Sequence, residues 1–273
     1  MDKEILKKYN FNFNKKYGQN FIFDHNLLSA IVNDAGVENK NVLEIGPGAG
    51  GLTAHLCQKA KKVVAYEIDE NLKPILQENL ANCDNVNVIF SDIMNVPMSE
   101  IENNFEGNYT VVANLPYYIT TPIIFKFIEN ATKLDKLVIM VQYEVALRLV
   151  AEYNTADYGA ITVAINTVAD SKITRKVKRN MFVPAPNVDS AIVTITMNRN
   201  KYDIHNVSTL KKLIKSAFAM RRKTLANNLK KDFNLSNDKL KNLFEVTNID
   251  SGIRGEALNP EQFVQIANAI DKL

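Results

Sequence analysis

Four consecutive residues have the types and order needed to hold an amine for reaction. Asn114-Leu115-Pro116-Tyr117 follows directly on the apolar run Val111-Val112-Ala113. The Asn114 side-chain oxygen and the Leu115 carbonyl offer two acceptors. Pro116 has no competing N–H and fixes φ, which stiffens the turn. Tyr117 adds a ring able to stack on a flat base. An exocyclic amine such as that of adenine is a poor nucleophile, because its lone pair is delocalised into the ring. Acceptors aimed at its two N–H bonds favour the tetrahedral geometry required for attack on a methyl sulfonium. This is preorganised transition-state stabilisation and needs no general base. The base must first leave its stack or come from a single-stranded loop. Phe182, in "MFVPAP" and held between stiff prolines, is the candidate for the other side of a base sandwich. The same stretch also has a folding role. Pro116 ends a strand and Pro122 opens a helix, with Thr120 or Thr121 expected as N-cap.

A second constellation lies upstream. "VLEIGPGAGGLT" (Val42–Thr53) reads as strand, glycine turn and helix N-terminus, and Gly46, Gly48 and Gly51 satisfy G-x-G-x-x-G. Glu67, at the end of the next strand, is placed to hold ribose hydroxyls. On spacing alone both NAD and S-adenosylmethionine fit. Glu44 separates them, since a carboxylate two residues before the loop is awkward beside a pyrophosphate but suits a ligand with an amino group and a sulfonium. Asp92, ending the third strand, is placed to accept from an adenine amine.

The elements that must position these residues alternate. Short apolar runs at Asn41–Gly46, Lys62–Asp69, the stretch ending at Asp92, the stretch ending at Pro116, and Lys136–Gln142 are each followed by helical spacing. This predicts a mainly parallel sheet covered on both faces, an α/β Rossmann-like fold. Ala160–Val168 and Ser190–Met197 read as a final strand pair closing one edge antiparallel. Beyond Met197 the spacing turns helical, with capping residues ahead of each segment. The expected division is residues 1–200, including an N-terminal arm over 1–20, and a small all-helical C-terminal domain over 201–273.

Composition narrows the classes. Of 273 residues, 46% are hydrophobic and 23% charged, as in ordinary globular proteins. Residues 1–170 carry 14 Lys+Arg against 21 Asp+Glu, a net −7, and residues 171–273 carry 19 against 9, a net +10. A basic C-terminal part on an acidic body points to a polyanion partner. Two cysteines, Cys57 and Cys83, cannot make a disulfide framework, which suggests a reducing cytoplasm. The three histidines lie far apart, so no metal site is expected. No apolar run reaches membrane-spanning length, and the N-terminus lacks a signal-peptide core.

Several segments together carry a family resemblance: "KKYGQNFIFD", "VLEIGPGAGGLT", "ANLPYYITTPIIFKF", "YGAITVAIN", "FVPAPNVDSAIV", "AFAMRRKTLANNL" and "GEALNPEQFVQIANAI". In order and over nearly the whole chain, these resemble the small-subunit ribosomal RNA adenine dimethyltransferases of the kasugamycin-resistance type. The resemblance implies a class I methyltransferase domain plus a helical RNA-binding domain. It implies S-adenosylmethionine as donor, no metal, and dimethylation of N6 on two adjacent adenosines in the 3′-terminal hairpin loop of 16S rRNA. The partner would be an immature small ribosomal subunit in the cytoplasm, the protein monomeric and without membrane contact. Carried over by motif, Asn20 and Ile22 close over the cofactor, Gly46 supplies the loop contact and Glu67 the ribose contact. Asp92 and Asn114 bind the adenosyl side or the target amine. Leu115, Pro116, Tyr117 and Phe182 complete the catalytic set. Ile22 stands where relatives usually have Leu, and Tyr118 where they often have Asn. "RGEAL" varies slightly from the commoner pattern. Arg221 and Arg222 lie on the implied RNA-binding helix. Two alternatives share parts of this pattern. One is the macrolide-resistance type acting on large-subunit RNA, and the other is a non-catalytic RNA-binding assembly factor that kept the fold.

Overall fold

The computed structural model describes residues 4–220 and 222–273, so Arg221 lies outside the described residues. The chain enters through α1 (Glu4–Lys8) and a two-residue strand, β1 (Phe21–Ile22). There follow α2 (His25–Ala35), β2 (Asn41–Ile45), α3 (Gly51–Cys57), β3 (Lys62–Glu67), α4 (Lys73–Asn79) and β4 (Val86–Phe90). Next come α5 (Met98–Asn103), β5 (Tyr109–Asn114), α6 (Thr120–Asn130), β6 (Leu134–Gln142), α7 (Tyr143–Leu149) and α8 (Ala160–Val168). β7 (Ala169–Val177), β8 (Phe182–Val183) and β9 (Ser190–Met197) precede α9 (Val207–Ala219), α10 (Leu225–Asp232), α11 (Asn237–Thr247) and α12 (Pro260–Ile270).

These elements form two compact units. One runs to Ala146 and resumes over Lys172–Thr196, and the other comprises Leu147–Ser171 and Met197–Leu273. The first is organised by a sheet of order β4-β3-β2-β5-β6-β9-β7. β4, β3, β2, β5 and β6 run parallel, and β9 pairs antiparallel with β6. From β2 the chain goes to β3 on one side and later to β5 on the other. The carboxyl ends of β2 and β5 therefore flank a topological switch point, where open α/β sheets bind ligands. Every residue of β2 is buried, as a central strand covered by helices requires. Leu28, Ile31 and Val32 of α2 and Leu52 and Leu56 of α3 pack on one face with Val42, Val112 and Met140. A mainly parallel α/β sheet and a helical C-terminal region are thus both present.

The second unit folds around Leu210, Leu213, Leu229, Leu243, Phe263 and Ile266. Its helices start where the sequence supplies caps. Asn206, Thr224, Ser236 and Asn259 each accept a backbone N–H at their helix starts. Asn259 and Gln262 form a reciprocal capping box with Pro260 at the first helical position.

Four expectations need correction. Ala160–Val168 is a helix, not a strand. Its β-branched residues suggested a strand, but Thr162 Oγ1 caps the Gly159 N–H at 3.2 Å, and Val163 packs into the helical core. Tertiary packing overrides local propensity here. The strand beside β9 is instead the charged β7, "ADSKITRKV", whose mostly unburied residues suit a sheet edge. Accordingly Leu147–Ser171 belongs to the helical unit rather than to an unbroken 1–200 domain. The N-cap of α6 is Ile119, and Thr120 is already helical, because a 3-10 turn over Tyr117–Ile119 feeds the helix. Pro122 remains in the first turn, where its missing N–H costs nothing. Finally, the two cysteines are joined to each other, Cys57–Cys83, with Cα atoms 6.0 Å apart.

Candidate active site

A solvent-open cleft lies at the switch point. Its walls come from the loop before β1, the glycine loop after β2, and the carboxyl ends of β3, β4 and β5. Asn20, Ile22, Gly46, Glu67, Asp92, Asn114, Leu115, Pro116 and Tyr117, all singled out in the sequence, line it together.

The glycine loop is held from two sides. Gly46 N–H donates to the Tyr66 carbonyl at 2.9 Å, and Gly48 N–H donates to Glu67 Oε2 at 3.0 Å. The other oxygen of Glu67 accepts the N–H groups of Ile68 and Asp69, both at 2.9 Å. Burial pushes the Glu67 carboxyl above its ordinary value, and these three backbone donors work against that shift. A carboxylate has about four acceptor positions. Three are committed here, which leaves one for a hydroxyl. Gly46 has φ +70 and nothing within 4 Å of where a Cβ would stand, so its backbone is open to a ligand. Gly48 has φ +58, and a Cβ there would meet the Phe21 ring at 2.8 Å. Asp92 spends one oxygen on the Met94 N–H at 2.9 Å and the other on Asn95 Nδ2 at 3.1 Å.

Glu44 is only 1% exposed, and its Oε2 has no hydrogen-bond partner. Burial lifts its carboxyl to about 8, with Glu67 adding to the rise. The nearby Thr53 hydroxyl offsets part of this without reaching hydrogen-bond geometry. At neutral pH a carboxyl raised this far is largely protonated. Repulsion of a pyrophosphate, inferred from the sequence, requires the ionised form, so it is weaker than expected.

At the end of β5, Asn114 Nδ2 donates to the Asn20 carbonyl at 2.8 Å. A carbonyl can only accept, so this contact fixes which end of the amide is which. The nitrogen is spent on the scaffold and the Oδ1 acceptor is left for a ligand. Asn20 is itself held, its side chain donating to the Gly18 carbonyl at 3.0 Å. Tyr117 is anchored through a 2.9 Å hydrogen bond between its hydroxyl and Ser190 Oγ at the start of β9. Burial raises the Tyr117 hydroxyl above its ordinary value, so it stays protonated.

Phe182 does not join them. Its ring is 3% exposed, packs with Ile22, Leu28 and Ile31, and does not line the cleft. β8 pairs with β1 so that Phe182 lies opposite Ile22. In this structure Phe182 therefore braces the β1 wall instead of offering a face to a base. The exposed ring at the cleft is Tyr118, 63% exposed.

Spacing gave no sign of the arm's part. Ile5 and Leu6 of α1 are buried with Leu72, Ile75 and Leu76, and Phe11, Phe13 and Phe21 form a cluster of three rings. Tyr9 donates to Glu78 Oε2 at 2.7 Å, and Gln19 Nε2 to Asp69 Oδ2 at 2.6 Å.

A mainly parallel sheet with a glycine loop after β2, acids at successive strand ends and an amide acceptor at the end of β5 defines a Rossmann-like class I methyltransferase. Comparison with known proteins narrows this class. The profile of the ribosomal RNA adenine dimethylase family matches residues 10–272, and the chain belongs to that family. It is 42% identical over 273 residues to "Ribosomal RNA small subunit methyltransferase A" of Clostridioides difficile, covering 98% of this chain and 94% of the relative. A dimethyladenosine transferase structure from Plasmodium falciparum aligns with TM-score 0.78 at 24% identity, covering 92% of this chain and 98% of that one. The 23S rRNA methyltransferase ErmE aligns with TM-score 0.69 at 25% identity, covering 92% of this chain and all of that one.

Proposed function

We propose that this protein transfers methyl groups from S-adenosylmethionine to N6 of two adjacent adenosines in the 3′-terminal hairpin loop of 16S rRNA. It would act as a monomer on the immature small subunit in the cytoplasm. The observation that carries this reading is the Asn114 amide, whose nitrogen is tied to the Asn20 carbonyl and whose oxygen is thereby presented as an acceptor. The cleft also fits the donor. Its backbone is open at Gly46, one acceptor position of Glu67 is uncommitted, and a buried carboxyl oxygen is unpartnered at Glu44. The donor supplies an electrophilic methyl on a sulfonium. Asn114 Oδ1 and the Leu115 carbonyl hold the target N–H bonds while the amine lone pair takes the methyl. The C–S bond breaks to leave a thioether, and the amine proton passes to water. Tyr117, fixed by Ser190, stacks on the base. Asp92 and Ile22 border the adenosyl end. The helical unit supplies RNA contacts through exposed lysines and arginines such as Lys211, Lys215 and Arg222. Among the described residues, no helix is long and apolar enough to cross a membrane.

The test is mass spectrometry of RNA after incubation with protein and donor, comparing under-methylated small subunits with naked large-subunit RNA. Two dimethyladenosines in the small-subunit RNA are expected. Modification of a single adenosine in large-subunit RNA alone would favour the macrolide-resistance type. Donor binding with no methylation of either RNA would favour an assembly factor.

A further inference from the structure

Tyr118 stands between the catalytic turn and α6, and the steps above leave it idle. It lines the cleft and is 63% exposed. Among the described residues no other ring packs on it and no hydrogen bond reaches its hydroxyl. The backbone beneath it is stiff. Pro116 has φ −56, and its carbonyl accepts the Ile119 N–H at 3.1 Å and the Thr120 hydroxyl at 3.4 Å. The ring meets Gly18 along one edge, since a Cβ built at Gly18 would stand 3.7 Å from Tyr118 Cε1 and 3.8 Å from Cδ1. Burial raises its hydroxyl above the ordinary value, with Asp92 and Tyr17 adding to the rise, so the ring stays uncharged.

Tyr117 and Tyr118 are neighbours in the 3-10 turn Tyr117–Ile119. With three residues per turn, successive side chains point about 120° apart. Tyr117 reaches Ser190 at the start of β9, and Tyr118 lies against Gly18 ahead of β1. Rings that diverge in this way do not close on one base from both sides. They offer faces to two different flat groups. The target adenine takes the first, with Asn114 Oδ1 and the Leu115 carbonyl. We propose that Tyr118 takes the second, the base flanking the target adenosine on one side, and so fixes the register in which the RNA loop enters the cleft. The inference rests on the function proposed above. Bases of a single-stranded loop are free to splay onto aromatic side chains, and such stacking accepts any base because every base has a π-face. The RNA runs through the cleft in one direction, so the ring meets the flanking base on the same side at each transfer. For one of the two targets that base is the twin adenosine. Stacking asks nothing of the twin's amine, so the ring holds it before and after methylation. The acceptors at Asn114 and Leu115 need an N–H, which a dimethylated amine lacks. One site then serves both adenosines by a shift of one nucleotide.

The experiment follows methyl transfer to the 5′ adenosine of the pair in small subunits reconstituted with a synthetic 3′ segment of the RNA. The segment is intact, or carries an abasic residue on the 5′ or the 3′ side of that adenosine. Each substrate is given to wild type, Tyr118→Phe and Tyr118→Ala. A stack on a base other than the reacting one is equal in ground and transition states. On intact subunits Y118A should therefore raise KM about 5–150-fold with kcat near wild type, and Y118F should match wild type. On one of the two abasic substrates the wild type should show the raised KM and Y118A no further loss, a coupling that a double-mutant cycle isolates. A Y118A loss of the same factor on all three substrates overturns the inference and leaves the proposed function intact. So does a loss in kcat instead of KM, or a Y118F as impaired as Y118A, since the hydroxyl and not the ring would then act. Calorimetry with S-adenosylmethionine tests the other occupant, the donor's own adenine. Unchanged donor affinity in Y118A supports the flanking base, and a loss matching the change in KM would move the ring onto the donor. No methyl transfer to intact subunits by the wild type overturns both readings.

Discussion

Replacing Gly48 with Ala tests whether the N-terminal arm is part of the cofactor loop. Two costs arise. A side chain at φ +58 incurs left-handed strain of about 1–2 kcal/mol. The new Cβ would also stand 2.8 Å from Phe21 Cε1 and 3.1 Å from Cδ1. Phe21 cannot easily yield. It is buried and packed against both Phe11 and Phe13, with ring centroids at 5.9 and 5.4 Å. Overpacking of this kind adds about 1–3 kcal/mol. Gly46→Ala is the internal control, because its φ of +70 carries similar strain while nothing lies within 4 Å of the new Cβ. The difference between the two variants isolates the packing part. With roughly 2–4 °C per kcal/mol for proteins of this size, G48A should melt about 2–12 °C below G46A. Both substitutions lie in the same unit, so thermal scans followed by circular dichroism compare them like for like. In a Phe21→Ala background the gap should close, as a double-mutant cycle would register. Equal melting of G48A and G46A, or a gap that survives F21A, would refute the claim that Phe21 roofs the loop.

Asn114→Ala should lower kcat on the order of 10²–10³-fold while changing RNA affinity little, because its acceptor contact strengthens at the transition state. Equal losses in both, measured by methyl-incorporation kinetics and filter binding, would contradict its role. Glu102 accepts from the Thr132 hydroxyl at 2.6 Å and from the N–H groups of Thr132 and Lys133 at 2.8 and 2.9 Å. Burial acts to raise its pKa, but these donors outweigh it and hold the carboxyl below its usual range. The stability it provides is therefore present above the unfolded carboxylate value and lost as pH falls through the lowered one. Glu102→Gln should cost about 2–4 kcal/mol in urea unfolding at pH 7 and much less near pH 3, and a pH-independent cost would remove the ionised form from the account. Reversing charge at the exposed Arg222 should weaken RNA binding and reduce the slope of log K against log salt by about one or more. An unchanged slope would show that this residue faces away from the RNA.

The parts legible in the sequence are those whose period or backbone demands are local. β2, β3 and β5 announced themselves as apolar runs, and the glycine loop by the turn it must make. The residues expected at the strand ends meet in one cleft because a parallel sheet brings its carboxyl ends to one edge. What stayed hidden depends on distant neighbours. Ala160–Val168 is β-branched enough for a strand, and only the helical core that receives Val163 makes it α8. β7 is too charged to look like a strand until it is seen at an edge. Phe182 sits in a motif that suggests a base-stacking ring, yet its pairing opposite Ile22 turns it into wall packing. The sequence suggests an ionised Glu44, whereas its burial, which only the packed sheet reveals, lifts the carboxyl to about 8 with one oxygen left unpartnered.

The hydrogen bond from Asn114 to Asn20 spans 94 positions of chain. A ribosome adding roughly 5–20 residues per second needs on the order of 5–20 seconds to cover that interval. For nearly all of it Phe11, Phe13 and Phe21 are already part of the chain. The α4 residues that bury the arm appear partway through, and the catalytic amide arrives last of all. The nascent chain thus completes its glycine turn well before it holds the acceptor that makes the turn useful. Any fragment released before residue 114 carries an aromatic arm and an unfinished pocket, a species for chaperones and proteases to clear rather than a working half-enzyme.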